Sequence, residues 1–209
     1  MRIAILLYPE FTTLDAVGPY DVLSRLPGAE VVFTAAERGP VRNDVGSLAI
    51  TADAALHEVD SADLLLVPGG PGTRAQLTDR TVLDWVRRVD ATTTWTTSVC
   101  TGSLILGAAG LLEGRRATSH WGVLDELPRY GAEPVADERV VIDGKYAIAA
   151  GVSAGIDLAL TLAGRIAGDT VAQAIQLLIE YDPQPPYASG SLAKASPEVV
   201  EAVNRLMQD

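Results

Sequence analysis

The sequence is poor in cysteine, histidine, aromatic and basic side chains, and each shortage excludes something. One Cys in 209 residues cannot close an intramolecular disulfide, so the bridge-stapled scaffold of small secreted proteins is ruled out. Two His and no pair of candidate ligands at metal-site spacing leave no metal centre to be read. Lys and Arg total 16 against 27 Asp and Glu, and the net charge of −11 repels nucleic-acid phosphate and anionic membranes alike. No apolar run reaches the ~18 residues of a membrane span. Leu158 to Gly168 is flanked by Asp157 and Asp169 and interrupted by Arg165, and the run Ile3 to Tyr8 halts at Pro9-Glu10 before it reaches signal-peptide length. A cytoplasmic protein is expected, with neither nucleic acid nor membrane as partner.

What is present is a core. Hydrophobic residues make up 48% of the chain, and a chain of this size buries roughly 70% of the surface it would expose unfolded. One domain over 1–209 is expected, without internal repeats or a dividing linker. Short aliphatic runs alternate with stretches of helical period, the pattern of a mostly parallel sheet covered by helices on both faces. Strands are predicted at Arg2 to Tyr8, Glu30 to Ala35, Leu64 to Val67, Thr94 to Val99 and Tyr146 to Ala150. Helices are predicted from a Thr78 cap onward with Val82, Trp85 and Val86 on one face, at Ala154 to Ala167, at Thr170 to Tyr181 and at Pro197 to Met207. Segments around Val45 to Thr51 and Val140 to Tyr146 read as hairpins added to the main sheet. Asp182 to Ser191 is too rich in proline for a helix.

The most informative stretch is Ser98-Val99-Cys100-Thr101-Gly102-Ser103-Leu104, where a β-rich run ends and helical spacing begins. This is the geometry of a nucleophile elbow, with the side chain above a helix N-terminus at the carboxyl edge of the sheet. Cys100 reads either as an inert buried residue or as a nucleophile, and its place at the turn favours the nucleophile. The helix terminus beneath it predicts a lowered thiol pKa. Two carboxylates, Glu10 and Asp15, follow the first strand on the same edge. Asp15 stands beside Leu14, Ala16 and Val17, company that raises a carboxyl pKa toward values useful in proton transfer, although the spacing also fits a helix cap. In Pro68-Gly69-Gly70-Pro71-Gly72, the Gly70 amide with that of Thr101 forms a candidate oxyanion hole. No Lys-Ser/Thr follows, so this is not a phosphate loop, and no dinucleotide fingerprint opens the chain. His57 reads as exposed. His120 reads either as the second member of a Cys-His dyad or as a structural histidine beside Trp121. Small side chains at Ala149, Ala150 and Val152 suggest an aliphatic pocket, with Ala150 among its substrate-binding candidates.

Together these residues resemble the ThiJ/PfpI superfamily, from Arg2 to about Tyr187. The resemblance implies an α/β three-layer sandwich with a flavodoxin-like sheet, of class I glutamine amidotransferase-like type. Within it, the Cys-Thr-Gly elbow and Gly110 to Trp121 are similar to two groups, isonitrile hydratases and the amidotransferase-like sensor domains of AraC-type regulators. The sensor group carries a basic DNA-binding domain after this one, whereas here the chain ends at Asp209 with an acidic balance, so the enzyme is expected. Leu14 to Leu23, Ser153 to Ala163 and Glu180 to Tyr187 are more specific to the hydratases. The family's nucleophile then falls on Cys100, its acid/base carboxylate on Asp15 and its supporting hydroxyl on Thr101. The protease branch carries His after its Cys, where this chain has Thr101, so peptide hydrolysis is not expected. The implied reaction is cofactor-free hydration of an isonitrile, a small molecule, to the N-substituted formamide through a Cys100 thioimidate, in a homodimer. Two alternatives stand beside it: a glyoxalase or deglycase-like cysteine enzyme, and a non-catalytic sensor whose cysteine is oxidised.

Overall fold

Strand β1 (Arg2–Leu6) begins a computed structural model that describes residues 1–206. It is followed by α1 (Thr13–Leu23), β2 (Glu30–Ala35), β3 (Gly39–Arg42), β4 (Ala49–Ala52), β5 (Ala54–Ala55), β6 (Leu64–Val67), α2 (Thr73–Gln76) and α3 (Arg80–Asp90). Then come β7 (Trp95–Val99), α4 (Gly102–Ala108), β8 (Arg116–Ala117), a 3₁₀ stretch (Trp121–Tyr130), β9 (Glu133–Pro134), β10 (Val140–Asp143) and β11 (Tyr146–Ala149). Helices α5 (Ala154–Ala167), α6 (Asp169–Leu178) and α7 (Pro197–Leu206) complete the described chain. It falls into two compact units divided between Ile179 and Glu180. The second holds the proline-rich segment and α7; the end expected for its helix at Met207 lies outside the described residues.

In the first unit seven strands form one sheet in the order β10-β11-β7-β6-β1-β2-β5, parallel throughout except for the antiparallel edge strand β10. The order β2-β1-β6-β7-β11 is the flavodoxin-like one, with its topological switch between β1 and β6, where ligands of such sheets bind beyond the carboxyl ends of the strands. Helices α1, α5 and α6 pack together as one layer, and α2, α3 and α4 as another, giving an α/β three-layer sandwich. The reason is visible in the strands. All four residues of β6, Leu64 to Val67, are buried, as is required of a central strand with both faces covered.

Several elements depart from expectation at their boundaries. Helix α3 is capped by Asp79, whose side chain accepts from the Thr81 and Val82 amides, and not by Thr78. The hairpin at 140–149 extends the main sheet as predicted, but β3 and β4 pair with each other in a separate two-stranded sheet. The break between α5 and α6 is made by Gly168 at φ 89°, where a side chain would be strained.

Candidate active site

The carboxyl ends of β1, β6 and β7 converge on one place. Cys100 follows β7 directly at φ 59°, a left-handed conformation that a residue with a Cβ adopts only when its surroundings impose it. They do so through the backbone. The Cys100 N–H donates to the Ala150 carbonyl at 2.9 Å, and its own carbonyl accepts from Ser119 Oγ at 3.0 Å and Ser103 Oγ at 3.2 Å. Gly102, the first residue of α4, must be glycine, because a Cβ there would overlap the Val67 carbonyl oxygen. The thiol is buried, 5% exposed.

Of the two carboxylates, the structure turns Asp15 inward and leaves Glu10 exposed. Asp15 lies in the first turn of α1 with no exposed surface, so its partners decide its chemistry. Its Oδ2 accepts from the Gly69 amide at 2.8 Å, while Oδ1 is buried without a hydrogen-bond partner of standard geometry. Burial raises its pKa to about 7, against the Gly69 amide and then the Cys100 thiol, whose hydrogen bonds favour the ionised form.

The thiol moves opposite to the expectation. Burial first and the Asp15 charge second push Cys100 up to about 12, against the backbone amides of Val152 and Thr101, which face the sulfur and pull it down. Helix α4 has only seven residues, and its terminal field does not offset the loss of water around the sulfur. The site therefore holds a thiol, disfavoured as a thiolate by burial and by the neighbouring charge, beside a carboxyl group of lower pKa.

Gly70 and Thr101 are brought together, but not as a pair of open amides. The Gly70 N–H donates to Thr101 Oγ1 at 2.9 Å, so the amides directed at sulfur are those of Thr101 and Val152. Nor does the Thr101 hydroxyl hold Asp15 or the sulfur; it sits 2.8 Å from Thr73 Oγ1 and 3.3 Å from the Gly70 carbonyl. Ala150 is half-buried and uses its carbonyl on Cys100 and its N–H on the Arg139 carbonyl at 3.0 Å. His120 is half-buried and caps the 3₁₀ stretch, accepting from the Gly122 amide at Nδ1, with its ring 5.3 Å from that of Trp121. Its pKa is lowered by burial, and the titratable side chain that acts on the Cys100 thiol is Asp15. His57 is exposed. Among the described residues no group of three His, Cys, Asp or Glu is placed to hold a metal ion, and no helix is long and apolar enough to cross a membrane.

Two side chains at this edge were not singled out in the sequence. Tyr8, just beyond β1, is buried, and its hydroxyl donates to the Pro68 carbonyl at 2.6 Å and lies 3.0 Å from Thr73 Oγ1. A buried tyrosine needs a partner for its hydroxyl, which was the available signal for Tyr8. Thr73, the first residue of α2, carried none.

A parallel sheet in the order β2-β1-β6-β7-β11 with a cysteine elbow over a buried carboxylate defines a class of α/β proteins, and this chain belongs to the DJ-1/PfpI family, which it matches over residues 1–165. It is 44% identical over 205 residues to the isonitrile hydratase of Pseudomonas putida, covering 98% of this chain and 89% of that one. It is also 34% identical over 173 residues to the HTH-type transcriptional regulator CdhR of Pseudomonas aeruginosa, covering 80% of this chain but only 51% of the regulator. Among solved structures, a ThiJ/PfpI family protein from Pseudomonas syringae superposes with a TM-score of 0.94 at 41% identity, covering 99% of this chain and 86% of that one.

Proposed function

We propose that this chain is an isonitrile hydratase, converting R–N≡C and water to R–NH–CHO. The observation that carries the reading is the Cys100–Asp15 pair, a buried thiol coupled to a carboxyl held at about 7. The terminal carbon of an isonitrile must receive both a nucleophile and a proton, and a thiol with an adjacent carboxylate supplies both to one atom. The 44% identity to the Pseudomonas putida enzyme supports the same reading.

The steps follow from the proton count. Asp15 takes the thiol proton as sulfur attacks the terminal carbon, and returns it to that carbon, giving the thioimidate R–N=CH–S–Cys100. Proton transfer concerted with attack avoids a free thiolate, which burial disfavours. Asp15, again ionised, then activates a water that adds to the same carbon, and the proton taken from that water passes from Asp15 to nitrogen, leaving Asp15 ionised once more. The tetrahedral R–NH–CH(OH)–S–Cys100 collapses: the C–S bond breaks, the hydroxyl proton leaves through Asp15, sulfur is reprotonated and the formamide departs. The Thr101 and Val152 amides stabilise negative charge on sulfur as it leaves. We assign the space for R to the side of the elbow where Ala150 and Val152, both half-buried, meet Cys100 through their backbone groups. No cofactor enters the scheme.

Incubating cyclohexyl isocyanide with the protein is expected to yield N-cyclohexylformamide. Cys100→Ala should reduce this to background, and Asp15→Asn should lower kcat by roughly 10² to 10⁴ fold, the usual weight of a positioned acid or base. Methylglyoxal consumption without formamide production would select the glyoxalase or deglycase reading instead, and loss of neither in Cys100→Ala would refute the covalent scheme.

The single free thiol suits a reducing cytoplasm, where we place the protein. We also read it as a homodimer. Leu14, Val45 and Leu48 are large apolar side chains left 39%, 78% and 45% exposed. They share one corner, because the 43–48 loop is fastened to the start of α1 by Asn43 Nδ2 to Thr13 Oγ1 at 3.0 Å and by Thr12 Oγ1 to Asp44 Oδ2 at 2.9 Å.

A further inference from the structure

The Asp15 carboxylate is held by the amide of a glycine, in a loop of two consecutive glycines that has little stiffness of its own. Something else must fix the direction of that N–H. The Gly69 carbonyl accepts from the Thr12 amide at 2.8 Å, the Gly70 N–H donates to Thr101 Oγ1 at 2.9 Å, and the Gly70 carbonyl accepts from the Thr73 amide at 3.0 Å. Thr73 grips the loop twice, once through its own amide and once through its hydroxyl 2.8 Å from Thr101 Oγ1. The direction of the hydroxyl protons follows from the far end. Tyr8 spends its proton on the Pro68 carbonyl, so it accepts from Thr73; Thr73 has then spent its own and accepts from Thr101. Thr101 Oγ1 keeps its remaining acceptor capacity for the Gly70 N–H. The Thr101 hydroxyl also reaches the Gly70 carbonyl at 3.3 Å, so both of its acceptors, Thr73 and the loop itself, tie it to the Gly69–Gly70 turn, and the chain of three closes on Pro68, the residue before the loop.

We propose that Tyr8 and Thr73 are positioning residues for the Cys100–Asp15 pair, acting through the Thr101 hydroxyl and the Gly69–Gly70 loop. Neither need touch substrate. Their effect is to keep the Gly69 N–H aimed at Asp15 Oδ2, which favours the ionised carboxylate that must accept the thiol proton. The charged and titratable groups that act on Asp15 are Cys100 from the elbow, Tyr8 from the end of β1 and Asp44 from the β3–β4 loop; substituting Thr73 removes none of them, and Tyr8→Phe removes only a phenol whose pKa burial raises above its ordinary value, leaving it neutral where Asp15 titrates. The inference deepens the hydratase reading, but the titration of the pair exists whatever the substrate.

The test uses the chain's only cysteine. The rate of Cys100 alkylation by iodoacetamide, followed by intact mass across pH 5 to 10, reads the ionisation of Asp15, the member of the pair that titrates near 7 and takes the thiol proton, without any isonitrile. Thr73→Val and Tyr8→Phe are expected to move the midpoint up by about 0.5 pH unit or more, and to lower kcat/KM for cyclohexyl isocyanide roughly 10-fold with the acid limb displaced in the same direction. Thr73→Ser, which keeps the hydroxyl, should restore the wild-type midpoint. Should Thr73→Val fail to fold, Tyr8→Phe carries the test. An unmoved midpoint in a folded variant, even one with a lowered Tm, overturns the proposal and makes the chain of hydroxyls packing only. A displaced midpoint in a protein that hydrates no isonitrile upholds the proposal and sinks the substrate instead.

Discussion

Asp15 is kept wholly out of water at a position where its ionised form is needed, and that conflict has a stability cost. Its folded pKa of about 7 stands above the ordinary 3.8, so between these values the folded state binds a proton that the unfolded state has released. Stability from this group is full below about pH 4, declines as pH rises, and has been lost by pH 8. Asp15→Asn removes the cost. The variant should therefore be more stable than wild type at pH 8, by roughly 2 to 4 kcal/mol as an upper estimate, and the advantage should shrink toward zero at pH 4. Urea unfolding at the two pH values measures this; a variant equally destabilised at both would show that lost hydrogen bonds outweigh desolvation. The same ionisation predicts that kcat/KM falls as pH drops through about 7, because a protonated Asp15 cannot take the thiol proton.

At the level of elements, two turns decide whether the site forms. The elbow between β7 and α4 depends on the absence of a side chain at Gly102, so Gly102→Ala must displace α4 or the end of β6 and is expected to abolish turnover even where the variant folds. Near-wild-type formamide production by a folded Gly102→Ala would show that the elbow tolerates the shift. Helix α3 lies away from the chemistry and offers a contrast. Asp79 caps it at 2.8 Å to the Thr81 amide, and Asp79→Ala should cost about 1 kcal/mol in urea unfolding with kcat unchanged. The strand at Leu64–Val67 was legible because a strand covered on both faces is apolar at every position, and Ala154–Ala167 because helical period and a following glycine bracket it. The start of α3 was not, since Thr78 and Asp79 are both capping types and only backbone geometry chooses between them. The pairing of β3 and β4 apart from the main sheet was equally hidden, because alternation reports that a strand exists and not which neighbour it finds.

For the molecule as a whole, a net charge of −11 and an exposed apolar corner act in opposite directions on self-association. The apolar corner of Leu14, Val45 and Leu48 is rimmed by Asp44 and sits beside the first turn of α1, which carries Asp15. Light scattering at micromolar concentration is expected to return twice the mass of the 22.0 kDa chain, and Val45→Asp, which adds charge at the most exposed of the three positions, should return the monomer. A monomeric wild type would remove the dimer from the reading while leaving the site as described.

Composition and local pattern determined what acts on a short stretch of chain: apolar runs and their period, the small residues after Val99, the prolines after Asp182, and the acidic balance that argues against a polyanionic partner. Those signals suffice to place a cysteine at a strand-to-helix turn and a carboxylate on the same sheet edge. Only the tertiary structure decided the state of that pair. Whether Asp15 or Glu10 turns inward, whether the Gly70 amide is free or spent on Thr101, and whether the helix terminus or the loss of water governs the thiol all depend on groups from β1, β6, β7 and the segment after β11 meeting in one buried volume. Desolvation is a property of that volume and of no residue within it, which is why the sequence pointed to a lowered thiol pKa and the fold raises it to about 12.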